Sequence, residues 1–146
     1  MLNLLHKKGN NGKLKMPSGL QAINRERGDR MKLGIIESQF AEIIWGNEPL
    51  PSGELVKLCA ETLKWKKSTT YTVLRKLCNR GIFQNKNGMV CALISKEELH
   101  AMQSEEFVKE NFDGSLPAFL AAFVSRQKLT QEEVSELQKL INENRR

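Results

Sequence analysis

The 146-residue chain has little of what catalysis, metal binding or membrane insertion requires. Its two histidines, His6 and His100, stand apart from its three cysteines, Cys59, Cys78 and Cys91, and no Cys-x-x-Cys pair occurs. That spacing leaves no zinc ligand set. An odd, scattered trio is also no disulfide framework, so the cysteines read as buried free thiols of a cytoplasmic protein. A glycine-rich phosphate loop and a nucleophile–base pairing are both missing, which argues against an enzyme and against a bound cofactor. No apolar run approaches the length of a membrane span, and Met1-Leu2-Asn3-Leu4-Leu5 is too short for the core of a secretion signal. The expectation is therefore a cytoplasmic protein without membrane insertion. Aromatic residues make up only 6%, so the core must be modest.

What is present is charge, unevenly spread. Residues 1–32 carry a net +6, residues 33–94 a net +3 and residues 95–146 a net −3. A basic first half joined to an acidic second half favours a nucleic-acid face on one part and a protein-facing role for the other. Residues 1–32 are rich in Gly, Asn and cations and show no apolar periodicity, which predicts a disordered basic tail. Such a tail either adds nonspecific attraction to phosphate or reflects an over-long start ahead of Met31.

Apolar residues at 36, 40, 43 and 44 have helical spacing, and Gly46-Asn47-Glu48-Pro49 ends that helix. Leu50-Pro51-Ser52 is expected to open a second helix, with Leu55, Leu58, Cys59 and Leu63 inside. The third helix, Trp65 to Gly81, organises the rest. At 3.6 residues per turn it sets Thr70, Val73, Leu74, Leu77 and Cys78 on one face. Ser68, Thr69, Thr72, Lys76 and Arg80 fall on the other, and Gly81 stops the helix. Short hydroxyls and cations opposite a buried stripe suit a DNA-recognition helix, though an ordinary core helix with a solvated face has the same outline. The hydrophobic period then changes. Ile82-Phe83-Gln84 and Met89 to Ile94 are β-prone runs around Asn85-Lys86-Asn87-Gly88, a hairpin signal. Three helices and a hairpin make a winged helix, with Lys86 at the wing tip.

Residues 95–146 return to helix. Phe107, Phe112, Leu116, Phe119, Leu120, Phe123, Val134, Leu137 and Ile141 are the apolar positions expected to form a dimer contact, and Leu116 to Val124 has almost no polar face. A helix apolar all round needs cover on every side. A homodimer through these helices is the economical solution, and a monomer folding them back on the winged helix is the alternative. The expected architecture is mainly α with a small β-hairpin. It comprises a tail over 1–32, a winged helix-turn-helix over 33–94 and a three-helix dimerisation region over 95–146.

The chain resembles the penicillinase-repressor (BlaI/MecI/CopY) family of bacterial transcriptional regulators. The resemblance rests on Ile43-Ile44-Trp45, Trp65, Thr69 through Leu77, Arg80-Gly81, Gly88, Phe107-Val108, Phe112 to Leu116, and Leu129 to Glu133, in that order, across residues 33–143. It implies a homodimeric repressor that occupies a palindromic double-stranded DNA operator, a recognition helix in each major groove. Ser68, Thr69, Thr72 and Lys76 match the family's DNA-contacting positions. From the residues themselves, Lys66, Lys67, Arg75, Lys76, Arg80 and Lys86 are candidates for phosphate contact, and Thr69 and Thr72 for base edges. Two departures stand out. Lys66-Lys67-Ser68 replaces a common Ser-Pro-Lys, which implies a different operator preference. The resemblance also implies relief by proteolysis, governed by a membrane-bound sensor metalloprotease, at an Asn-Phe bond whose counterpart here is Ala122-Phe123. The copper-responsive branch carries a C-terminal Cys-x-Cys cluster, and this chain has no cysteine beyond Cys91. A winged-helix protein-interaction module without operator binding is the competing function; the acid-free stretch Lys64 to Arg80 argues against it.

Overall fold

The computed structural model describes residues 31–146; the expectations for the basic tail lie outside them, apart from its last two residues. Helix α1 spans Ile35–Asn47, strand β1 Leu50–Pro51, α2 Ser52–Thr62 and α3 Lys67–Asn79. Strands β2, Phe83–Lys86, and β3, Met89–Ala92, precede α4, Lys96–Phe112, α5, Leu116–Arg126, and α6, Gln131–Glu143. The described chain falls into two compact units, the first ending at Gln103 and the second running from Ser104 to Arg146, so the division lies inside α4.

The first unit is built by burial of one stripe from each helix. Phe40 and Ile44 of α1, Leu55 and Cys59 of α2, and Leu77 of α3 have no solvent exposure, nor do Ile82, Phe83 and Val90 around the hairpin. Each large apolar side chain so enclosed contributes roughly 1.5–3 kcal/mol. On α3 the buried residues are Thr70, Leu74 and Leu77, with Val73 and Cys78 half-buried beside them, so the expected face is the one that packs. Phe40 stacks on Trp65 with ring centroids 5.3 Å apart, which fixes the entry of α3 against α1.

The hairpin is an antiparallel pair with Asn85 opposite Val90 and Lys86 opposite Met89. Its two-residue turn holds Asn87 at φ 55° and Gly88 at φ 82°. Positive φ at both positions is the type I′ geometry that matches strand twist, and Asn-Gly supplies it at least cost. The structure corrects the expectation for Leu50-Pro51. These residues do not open α2 but form a short strand, with Leu50 opposite Val90 and Pro51 opposite Met89. The sheet therefore has three strands in the order β1-β3-β2 rather than two. Leu50 is buried, and Pro51, lacking an N–H, is tolerated because β1 is an edge.

In the second unit Phe107, Phe112 and Phe119 form a triangle with centroids 5.6–6.2 Å apart. The Ser115 hydroxyl accepts from the Ala118 N–H, and that of Thr130 from the Glu133 N–H, so both following helices are capped as their sequences demand. No residue of α5 or α6 is buried. Phe119, Leu120, Phe123, Leu137 and Leu140 line an apolar groove of about 410 Å³, with Leu116 and Ile141 each 55% exposed. Among the described residues no helix is long and apolar enough to cross a membrane.

Candidate nucleic-acid interface

Helix α3 begins without a side-chain cap: Lys66 is the N-cap residue and no acid lies in the first turn. Two lysines against the positive end of a helix dipole are locally unfavourable. The same arrangement leaves peptide N–H groups and ammonium groups aimed at whatever anion approaches. Lys66, Lys67, Ser68, Thr69, Thr72, Arg75 and Lys76 are all exposed. By helical period, Ser68, Thr72, Arg75 and Asn79 form the outermost ridge, opposite the buried Thr70, Leu74 and Leu77. Thr69, Lys76 and Arg80 lie on one flank of it.

The Thr72 hydroxyl donates to the Ser68 carbonyl at 2.9 Å. Its donor is thus used within the helix, leaving an acceptor lone pair and a methyl group outward. That combination suits an exocyclic amino group or a thymine methyl. Thr70 turns the other way, its hydroxyl donating to the Lys66 carbonyl at 3.3 Å inside the core.

Ser52 ties the other parts to this helix. Its hydroxyl lies 2.9 Å from the Tyr71 hydroxyl on α3, while its N–H donates to the Gly88 carbonyl at the wing tip at 2.8 Å. The start of α2, helix α3 and the wing are therefore joined through one residue. Lys86 is exposed at the end of β2, next to that tip. From α1, Trp45 Nε1 donates to the Ile94 carbonyl at 3.1 Å, and Glu48 Oε1 accepts from the Ala92 N–H at 2.7 Å. A cavity of about 230 Å³ between α3 and β2 is lined by Tyr71, Leu74, Arg75, Cys78 and Asn85.

Two of the sequence candidates are engaged within the fold. Lys76 Nζ lies 2.9 Å from Glu37 Oε2, and Arg80 Nη1 lies 3.5 Å from Glu37 Oε1 while donating to the Lys32 carbonyl at 3.0 Å. Glu37 Oε1 also accepts from the Gly34 N–H at 3.1 Å, closing the start of α1. Burial pushes the Glu37 carboxyl pKa up, but Lys76, the Gly34 amide and the Arg80 charge together hold it below the ordinary value. Sequence reasoning missed Glu37, because nothing local links residue 37 to residues 76 and 80. It also missed Asn79, which stands seven residues after Thr72 and shares its face.

The cysteines are free. Cys59 is fully buried, and Cys78 and Cys91 are half-buried. Burial raises the Cys59 pKa against a lowering contact with Thr70. Burial likewise raises that of Cys78, which Cys91 adds to and the Asn85 backbone opposes. Among the described residues no group of three or more His, Cys, Asp or Glu side chains is placed to hold a metal ion.

The second-unit candidates fall on α4, α5 and α6. Phe112, Phe119, Leu120, Val134 and Leu137 are half-buried, while Phe107 is 50% and Phe123 47% exposed. The Ala122–Phe123 bond lies inside α5, where the Ala122 carbonyl also accepts from the Ser125 hydroxyl at 2.7 Å.

The family model described as penicillinase repressor matches residues 33–143. The penicillinase repressor of Bacillus licheniformis is 24% identical over 113 residues, spanning 75% of this chain and 88% of that protein. The methicillin resistance regulatory protein MecI of Staphylococcus aureus (strain Mu50 / ATCC 700699) is 22% identical over 110 residues, spanning 73% and 89%. MecI of Mammaliicoccus sciuri is 21% identical over the same length. With the match running through both units, the chain belongs to the penicillinase repressor family of transcriptional regulators.

Proposed function

We propose that the protein is a sequence-specific DNA-binding repressor that holds a palindromic operator as a homodimer. The observation that carries this reading is the outer surface of α3. It combines exposed hydroxyls and cations, and no Asp or Glu occurs from residue 62 to residue 96. Lys66, Lys67 and Arg75, with Lys86 of the wing, supply phosphate contacts that set register; Ser68, Thr69 and Thr72 meet base edges. The Ser52 link to both Tyr71 and Gly88 supports helix and wing acting as one rigid reader. The groove between α5 and α6, with Phe123, Leu137 and Leu140 on its walls, is the surface a second copy would cover. Relief by cleavage belongs to the same reading, since cutting α5 near Ala122–Phe123 would divide that surface. The helical backbone there has to unwind before a protease can bind it.

A mobility-shift titration on the DNA upstream of the chain's own coding sequence tests the reading. Thr72→Ala and Arg75→Ala should each weaken binding about fivefold or more, as expected for contacts worth about 1–3 kcal/mol. Affinity should also fall by orders of magnitude between low and moderate salt. Unchanged affinity in both variants would take α3 out of the interface, and a flat curve for the wild type would favour a protein-interaction module.

A further inference from the structure

Glu37 is an acid that the fold brings to the cationic flank of α3. It sits on α1, its side chain only 18% exposed, and its Oε2 is closed off from solvent with the Lys76 ammonium 2.9 Å away. Its Oε1 faces Arg80, whose side chain is 22% exposed and is further held by the Lys32 carbonyl. The Gly34 N–H fixes the carboxylate from behind. A carboxylate anchored in this way presents two oxygens to the α3 flank much as a phosphate would. Lys76 itself stays 57% exposed, so it is reachable by DNA yet already partnered.

We infer that Glu37, clamped by Arg80, is an internal counterion that holds Lys76 back from phosphate, trimming sequence-independent attraction and leaving the exposed ridge of α3 to discriminate. The inference rests on the DNA-binding reading above. Its physical basis is counterion release: a cation already neutralised by the protein displaces no counterion from DNA and adds nothing to the salt dependence of binding. Lys66, Lys67 and Arg75, outside the reach of Glu37, keep that role.

The test uses the full chain and a random-sequence duplex, with affinity read by fluorescence anisotropy across a sodium chloride series. Glu37→Gln should bind the duplex more tightly at low salt, with a slope of log affinity against log salt steeper by about 0.9, the one unit charge the carboxylate neutralises. Lys76→Gln, a change at an exposed side chain, should leave the wild-type slope unaltered. The inference is overturned if folded Glu37→Gln keeps the wild-type slope, or if Lys76→Gln lowers that slope by about 0.9. Should Glu37→Gln fail to fold, by circular dichroism, the Lys76→Gln slope decides alone. Absence of salt-dependent binding by the wild type would instead bring down the DNA-binding reading, and this inference with it.

Discussion

If Lys66 and Lys67 meet phosphate as proposed, stability and binding pull against each other within two residues. An Asp at the N-cap would accept a bond from the first turn and complement the helix dipole, where Lys66 does neither. Lys66→Asp should raise the unfolding free energy by about 1 kcal/mol in a urea titration, and weaken DNA binding in the same preparation. A variant that bound as tightly as wild type would remove Lys66 from the interface. Glu37 gives a second residue-level expectation. Its carboxyl titrates below the ordinary value in the folded chain, so its ion pairs add stability above the unfolded-state pKa. That stability is lost as pH falls through the lowered folded value. Thermal melts taken from neutral pH into the acid range should show this component in the wild type and lack it in Glu37→Gln.

At the scale of elements, the two ends that frame α3 are made differently. Gly81 closes α3 at φ 82°, letting the Ile82 N–H return to the Leu77 carbonyl at 3.2 Å. Lys64 takes up the left-handed position after α2 at φ 59°, with the Trp65 N–H reaching one residue further back, to the Cys59 carbonyl at 3.2 Å. A lysine in that region carries roughly 1 kcal/mol of strain that a glycine does not. Lys64→Gly should therefore stabilise the protein by about 0.5–1 kcal/mol, and Gly81→Ala should destabilise it by about 1 kcal/mol, both by chemical denaturation. Gly81 and Asn87-Gly88 were legible in the sequence because their chemistry advertises their backbone. Helix α3 was legible through its period, and the caps Ser115 and Thr130 through their spacing to the following acid or proline. Lys64, strand β1 and Glu37 were not. Each depends on partners distant in sequence or on a conformation its residue type does not favour. Leu50-Pro51 is too short to carry a period, and becomes a strand only because β3 lies beside it.

At the scale of the molecule, the first unit reaches into α4. Leu99 is 1% exposed and belongs to the core that holds Phe40 and Leu77. A fragment ending at Gln103 should unfold cooperatively in urea. One ending at Ile94 loses Leu99 and should be less stable by about 2–5 kcal/mol, the range for deleting a buried leucine side chain. Equal midpoints for the two would place the core wholly before α4. Assembly is tested on the other unit. Leu137→Asp puts a charge in the groove beside Phe123 and Leu140, and should convert a dimer to monomer in sedimentation equilibrium while helical content holds. Loss of the dimer should also reduce operator affinity strongly, since a single half-site remains.

The Ser52–Tyr71 hydroxyl pair has a practical consequence. Tyr71 is the chain's single tyrosine, and its ring stands where α3 meets the start of α2, one residue from the bond that holds the wing. A fluorinated tyrosine fed during expression would thus enter at one position and give one fluorine NMR line. That line would report on the clasp without any engineered substitution. Addition of operator DNA should shift it once if helix and wing dock together, and split or broaden it if the wing moves separately.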